Sequence, residues 1–203
     1  MRKYVVLTIL FVLPLVVYLF FASGINHSAQ LPVLTNNIVD VSEYSNDTFK
    51  NKITILGFFG NNVQDKHGDA LNLNQKIYKR FYQFKDFQFI MIQPKGTSEL
   101  AKNLQNDLKT GTDTDLVNWK FISLEDQALS EIFNSLKTNL TLDSNLGTPY
   151  VFIIDRDANL RGRDDDDGIK YGYDSRSVAD INNTMLDDVK VILARNWSKY
   201  LSI

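Results

Sequence analysis

Few side chains in this sequence could do chemistry. Its 203 residues include no cysteine and only two histidines, His27 and His67. A thiol nucleophile, a disulfide, a CxxC redox centre and a thiolate metal site are therefore excluded, and no lipoprotein anchor on an N-terminal cysteine is expected. Two imidazoles supply neither a histidine-rich metal site nor a comfortable triad. A Ser or Thr nucleophile would still need a base, and only His67 is available. Carboxylates remain. His67 stands between Asp65 and Asp69, which could give a weak metal contact, but the simpler reading is an exposed histidine near a helix start. Asp155, Asp157 and Asn159, with Asp166 eleven positions after Asp155, have the outline of a calcium loop. Leu160 stands where the sharp turn wants Gly, and Asp where Glu should close the loop, so the run reads as a β-turn. Asp164, Asp165, Asp166 and Asp167 form an acidic row before Gly168, offset by Arg161, Arg163 and Lys170. That row reads as a solvated loop, with a carboxylate-based divalent-cation module as the alternative.

The elements that must position these groups are legible from their apolar patterns. Lys52 to Phe59 (KITILGFF) is a near-continuous apolar run, as in a strand buried on both faces. Asp69 to Phe84 carries Leu73, Ile77, Phe81 and Phe84 at helical spacing. Asp86 to Gln93 reads as a second buried strand. A helix should open at Thr97 or Ser98 and run to about Leu108. Asn118 to Ile122 is a short strand. Ser123 is the expected cap of a helix from Leu124 to about Leu136, with Asp126 in its first turn. Gly147-Thr148-Pro149 leads into a third apolar strand, Tyr150 to Asp155. Then come a turn, a strand at Leu160 to Gly162, the acidic loop, a strand piece at Lys170 to Tyr173 and a last helix from Ser177 to about Lys199. This order predicts an α/β layered fold. It fits a thioredoxin-like central sheet flanked by helices. A flavodoxin-like sheet is the rival, but would end without the hairpin at 150–173.

The chain is 44% hydrophobic and 23% charged, with net charge -2, which excludes wholesale disorder and argues against a nucleic-acid partner. Tyr4 to Ala22 is 19 residues without a charge, preceded by Arg2 and Lys3. It reads as one N-terminal transmembrane helix within residues 1–23, with the remainder exported; a cleaved signal peptide is the alternative. Residues 24–37 read as a periplasmic tether and 38–203 as the domain. Without Arg2 and Lys3 the chain keeps 20 basic and 24 acidic residues. By net charge alone, it has no electrostatic reason to lie on anionic lipid.

Three stretches carry a resemblance to a known family: ILGFFG (55–60), TPYVFIIDRDANLRGRDDDDG (148–168) and YGYDSRSVADINNTMLDDVKVILAR (171–195). The chain resembles the Sco/SenC family, membrane-anchored thioredoxin-like proteins that help assemble the copper centre of cytochrome oxidase. The resemblance implies a bacterial inner-membrane protein with a periplasmic domain and a protein partner in respiratory-complex assembly. It also implies a site of two cysteines and a histidine. Those positions fall on Asn62, Lys66 and about Gly147, so the copper ligands are absent. Thr148-Pro149 matches the place of the cis-proline in thioredoxin-like folds; a cis or a trans bond is equally compatible with the sequence. The expectation is a non-catalytic member with no cofactor, docking through Gly60 to Asp69 and Gly147 to Pro149.

Overall fold

The computed structural model describes residues 10–19 and 31–200, with side chains to Ala194. The chain divides into two compact units, Met1–Gln30 and Leu31–Ile203. In the first unit, residues 10–19 are helical and exposed throughout. The remainder of the expected span Tyr4–Ala22, and residues 24–30 of the tether, lie outside the described residues. Among the described residues no helix is long and apolar enough to cross a membrane.

The second unit is built on strands β1 (Val33–Thr35), β2 (Ile53–Phe59), β3 (Phe87–Pro94), β4 (Trp119–Leu124), β5 (Gly147–Ile154), β6 (Leu160–Arg161) and β9 (Tyr173–Asp174). Their order is β1-β6-β5-β2-β3-β4, with β9 also paired to β5. β2, β3 and β4 run parallel, whereas β5 lies antiparallel to β2. The parallel strands require crossovers, which the helices supply. Helix α1 (His67–Leu73) continues through a π-helical turn (Asn74–Tyr78) into α2 (Lys79–Phe81). Helix α3 (Ser98–Thr112) joins β3 to β4, α4 (Asp126–Ser135) follows β4, and α5 (Leu186–Tyr200) closes the chain.

Every residue of β2 and β3 is buried, and their alternating side chains feed two cores. Ile55, Phe89 and Met91 pack with Leu73, Ile77, Leu104 and Val189 of the α1, α3 and α5 layer. Leu56, Phe58, Ile90 and Ile92 pack with Leu129, Ile132 and Phe133 of α4. Full burial on both faces explains why these strands read as continuous apolar runs.

Three expectations need correction. The tether ends before residue 31: Leu31 is buried, and Val33–Thr35 pairs with β6 because that edge would otherwise be open. Ser123 is not a helix cap. It lies in β4, where its Oγ accepts from Gln93 Nε2 at 3.1 Å and meets Ser98 Oγ at 2.9 Å, and the helix begins at Asp126. The acidic loop is a hairpin, β7 (Arg163–Asp165) and β8 (Gly168–Lys170), whose turn uses the positive φ of Gly168, 102°.

Candidate functional site

The carboxyl ends of β2, β3 and β4 face the same way, which is where open α/β sheets place their sites. At that end the loop after β2 meets the start of β5. Phe59 pairs with Gly147, and Asn61 N–H donates to Asn145 O at 2.8 Å. The approach is so close that glycine is required on one side. A Cβ on Gly60, at φ 67°, would stand 2.4 Å from Asn145 O and 2.6 Å from Gly147 N. Asp143 holds the facing turn by accepting from the N–H groups of Asn145 and Gly147, at 2.8 and 2.9 Å.

The side chains here form a polar clasp. Lys66 Nζ donates to Thr148 O at 3.5 Å and lies 3.8 Å from the Asp69 carboxylate. Both side chains are largely covered, at 15% and 13% exposed. Ser175, just past β9, donates from both Oγ (2.6 Å) and N–H (2.9 Å) to Pro149 O, and also bonds Asp69. Asn72 Nδ2 reaches Ser175 O at 3.3 Å. The clasp thus joins α1, the start of β5 and the end of β9. Burial raises the Asp69 carboxyl above its ordinary range, although Lys66, Ser175 and Arg176 pull the other way. The Thr148–Pro149 peptide is trans.

The structure gathers Lys66, Asp69, Gly147, Thr148 and Pro149, as expected of the docking loops. It leaves Asn62 exposed and without a side-chain cap bond at the start of the 3₁₀ turn Val63–Lys66. Asn62, Lys66 and Gly147 do not fit a copper ion. A soft cation wants thiolate or imidazole, but Lys66 brings an ammonium held by oxygen acceptors. At Gly147 a Cβ would already lie 3.1 Å from Phe59 O, so the space for a longer ligand is taken by backbone.

His67 does not join Asp65 or Asp69. It is exposed and lines a cleft against α3 with Gln64, Asn103 and Asp107. Asp155 is spent within its hairpin. Its carboxylate accepts from Asp157 N–H and Asn159 N–H, each at 2.9 Å, and from Arg161 Nε at 2.7 Å. The calcium-loop outline is therefore a turn, and Asp157 stays outside it as an exposed residue. Among the described residues no three or more His, Asp or Glu are arranged to hold a metal ion. Asp164 to Asp167 are all exposed.

A second polar cluster gave no signal in the sequence. Arg163 grips Asp188 with two bonds, Nε at 2.8 Å and Nη2 at 2.9 Å. Tyr173 donates its hydroxyl to the same carboxylate at 2.7 Å. Tyr173 is fully buried and Asp188 nearly so; burial and the neighbouring carboxylate hold the phenol proton far above its ordinary range. Beside them Lys170 pairs with Asp180 at 3.0 Å. This brace fastens the β7–β8 hairpin and β9 to the last helix.

With the geometry in hand, comparison with known proteins supplies the fold. No protein-family profile matches the chain, and no curated protein matches its sequence. Solved structures do match. A Sco1/SenC family lipoprotein from Bacillus anthracis superposes with TM-score 0.51 at 14% identity, covering 78% of this chain and 95% of that one. BsSco, a member of the Sco family of cytochrome c oxidase assembly proteins, gives 0.52 at 14% identity, covering 80% and 97%. The fold is thioredoxin-like. Its central mixed sheet and flanking helices are those expected from the strand and helix order, and the flavodoxin-like alternative falls. The thioredoxin-like sheet here carries no cysteine, so thiol chemistry has no atom to work on.

Proposed function

We propose that the chain is a non-catalytic, Sco-like accessory protein, anchored in the bacterial inner membrane by Tyr4–Ala22. Its domain faces the periplasm and binds a protein partner during respiratory-complex assembly. One observation carries this reading. The place where the resemblance puts copper ligands holds the Lys66 clasp, on a scaffold otherwise kept whole. A surface that keeps its shape while its reactive groups are replaced suits recognition better than turnover, because binding needs only the contour and the polar atoms. The recognition face is the rim of the clasp, Gly60 to Asp69 with Gly147 to Pro149. Asn61 and Asn62 are exposed there, ready to pair with a partner. The protein needs no cofactor and performs no thiol or copper step of its own.

The test has two arms. The full chain in mild detergent is titrated with Cu(I); no stoichiometric uptake is expected, and tight one-to-one binding overturns the reading. A C-terminally tagged chain is then purified from its own membranes. Oxidase subunits or a cysteine-bearing Sco protein should accompany it and should be lost with Asn61→Ala/Asn62→Ala. A chain that purifies alone after mild cross-linking also overturns it.

A further inference from the structure

The net charge of the chain conceals a sharp segregation. Residues 70–85 carry Lys76, Lys79, Arg80 and Lys85 and no acid; residues 189–200 carry Lys190, Arg195 and Lys199 and no acid. These two segments thus hold seven of the 22 basic residues and none of the 24 acidic ones. The fold brings them together. Phe81 and Phe84, at the end of the first, line an open apolar groove of about 350 Å³ with Lys190, Leu193 and Ala194 of the second. Arg80, Lys85 and Lys190 are exposed. Lys52 joins them, its Nζ donating to Lys85 O at 3.2 Å. Lys190 shares a bond with Asp187 at 2.8 Å, but both are more than half exposed, so that pair is weak and open to competition.

We propose that this face docks on an anionic lipid surface, with Phe81 and Phe84 at the level of the headgroups. Cations ringing an aromatic and aliphatic groove match the chemistry of the bilayer interface, where bases meet anionic headgroups and rings sit between water and acyl chain. Charge complementarity favours a negative partner. Reach favours lipid: if Tyr4–Ala22 is the anchor, residues 23–30 alone separate it from the domain, at most about 28 Å of extended chain. The local field, not the net charge, then decides how the domain meets the membrane.

The chain has no cysteine, so single probes can be placed freely. The full chain is reconstituted in nanodiscs of phosphatidylcholine, with and without phosphatidylglycerol, bearing a polarity-sensitive fluorophore at Gln83→Cys. A control carries it at Asn134→Cys on α4, across the sheet. The Gln83 probe should shift to the blue and be quenched by lipid-borne quencher only in anionic discs, and the Asn134 probe should not. In the Arg80→Gln/Lys85→Gln/Lys190→Gln background the docked fraction should fall by at least about tenfold, since each base near an anionic surface is worth roughly fivefold. A Gln83 probe that stays in water on anionic discs overturns the proposal, and is the result expected if the face binds an acidic protein instead. Equal quenching on both lipids also overturns it. Flotation of the chain with phosphatidylcholine vesicles reports the N-terminal anchor separately, so failure of the anchor and failure of the basic face are distinguished.

Discussion

Two polar clusters hold the ends of this sheet, and they are built differently. The brace of Arg163, Asp188 and Tyr173 is tight, with three bonds of 2.7–2.9 Å onto one buried carboxylate. The clasp of Lys66, Asp69 and Thr148 is loose, with contacts of 3.5 and 3.8 Å from a flexible ammonium. A guanidinium fork fixes geometry as well as charge, whereas an ammonium is a point charge on a long stem. The brace has the character of structure. The clasp has the character of a surface that can rearrange when a partner arrives. The largest test of this contrast removes Arg163. Arg163→Ala leaves the Asp188 carboxylate buried with the Tyr173 hydroxyl as its remaining partner from the brace. A loss of about 3 kcal/mol is expected by chemical denaturation, with some relief because Arg163 is itself one-third exposed. A loss under about 1 kcal/mol would place the two clusters in the same class.

The backbone between the clusters should be the next most sensitive. Gly60→Ala puts a Cβ against two backbone atoms at 2.4 and 2.6 Å and strains a positive φ. Neither neighbour is a side chain that could rotate away, so a loss of about 2 kcal/mol is expected from the same denaturation curves. Lys66→Met keeps the apolar stem and removes the charge. It should change stability by less than about 1 kcal/mol while abolishing co-purification with the partner. A large stability loss with the partner retained would make the clasp the structural element and reverse the comparison.

What the sequence made legible follows the same division. β2, β3 and β5 announced themselves because both their faces are buried and the apolar signal needs no phase. The layer order followed from strands alternating with helices. The loops that approach one another were indicated by resemblance, and the structure gathers Lys66 with Thr148 as that resemblance implied. The brace was not legible: Arg163, Tyr173 and Asp188 are brought together by tertiary packing at no regular spacing, and Arg163 reads locally only as a counter-charge to the acidic row. Ser123 misled because a serine before an acidic first turn is a strong local cap signal, overridden here by its bonds to Gln93 and Ser98 on neighbouring elements. The groove of Phe81 and Phe84 was hidden by averaging, since a net charge sums away the segregation that places bases on one face.

The smallest effect sharpens the comparison through pH. Burial raises the Asp69 carboxyl above its ordinary value of 3.8, against Lys66, Ser175 and Arg176, which lower it, and with Asp174, which raises it. Just above 3.8 the folded chain therefore holds a proton that the unfolded chain has released, and stability contributed by Asp69 falls as pH rises through the folded value. Asp174 acts in the opposite sense, because the Arg176 fork holds its carboxyl low; its contribution is lost as pH falls. Asp69→Asn removes the first slope and leaves the second. Unfolding free energies of the two chains, measured in the same detergent from about pH 3 to 7, should therefore diverge, with the variant gaining on the parent as pH rises. The gain stays small because Lys66 loses its carboxylate partner in the variant and keeps only Thr148 O. A difference that does not change with pH would mean that Asp69 sits in water, and the clasp would then be open before any partner binds.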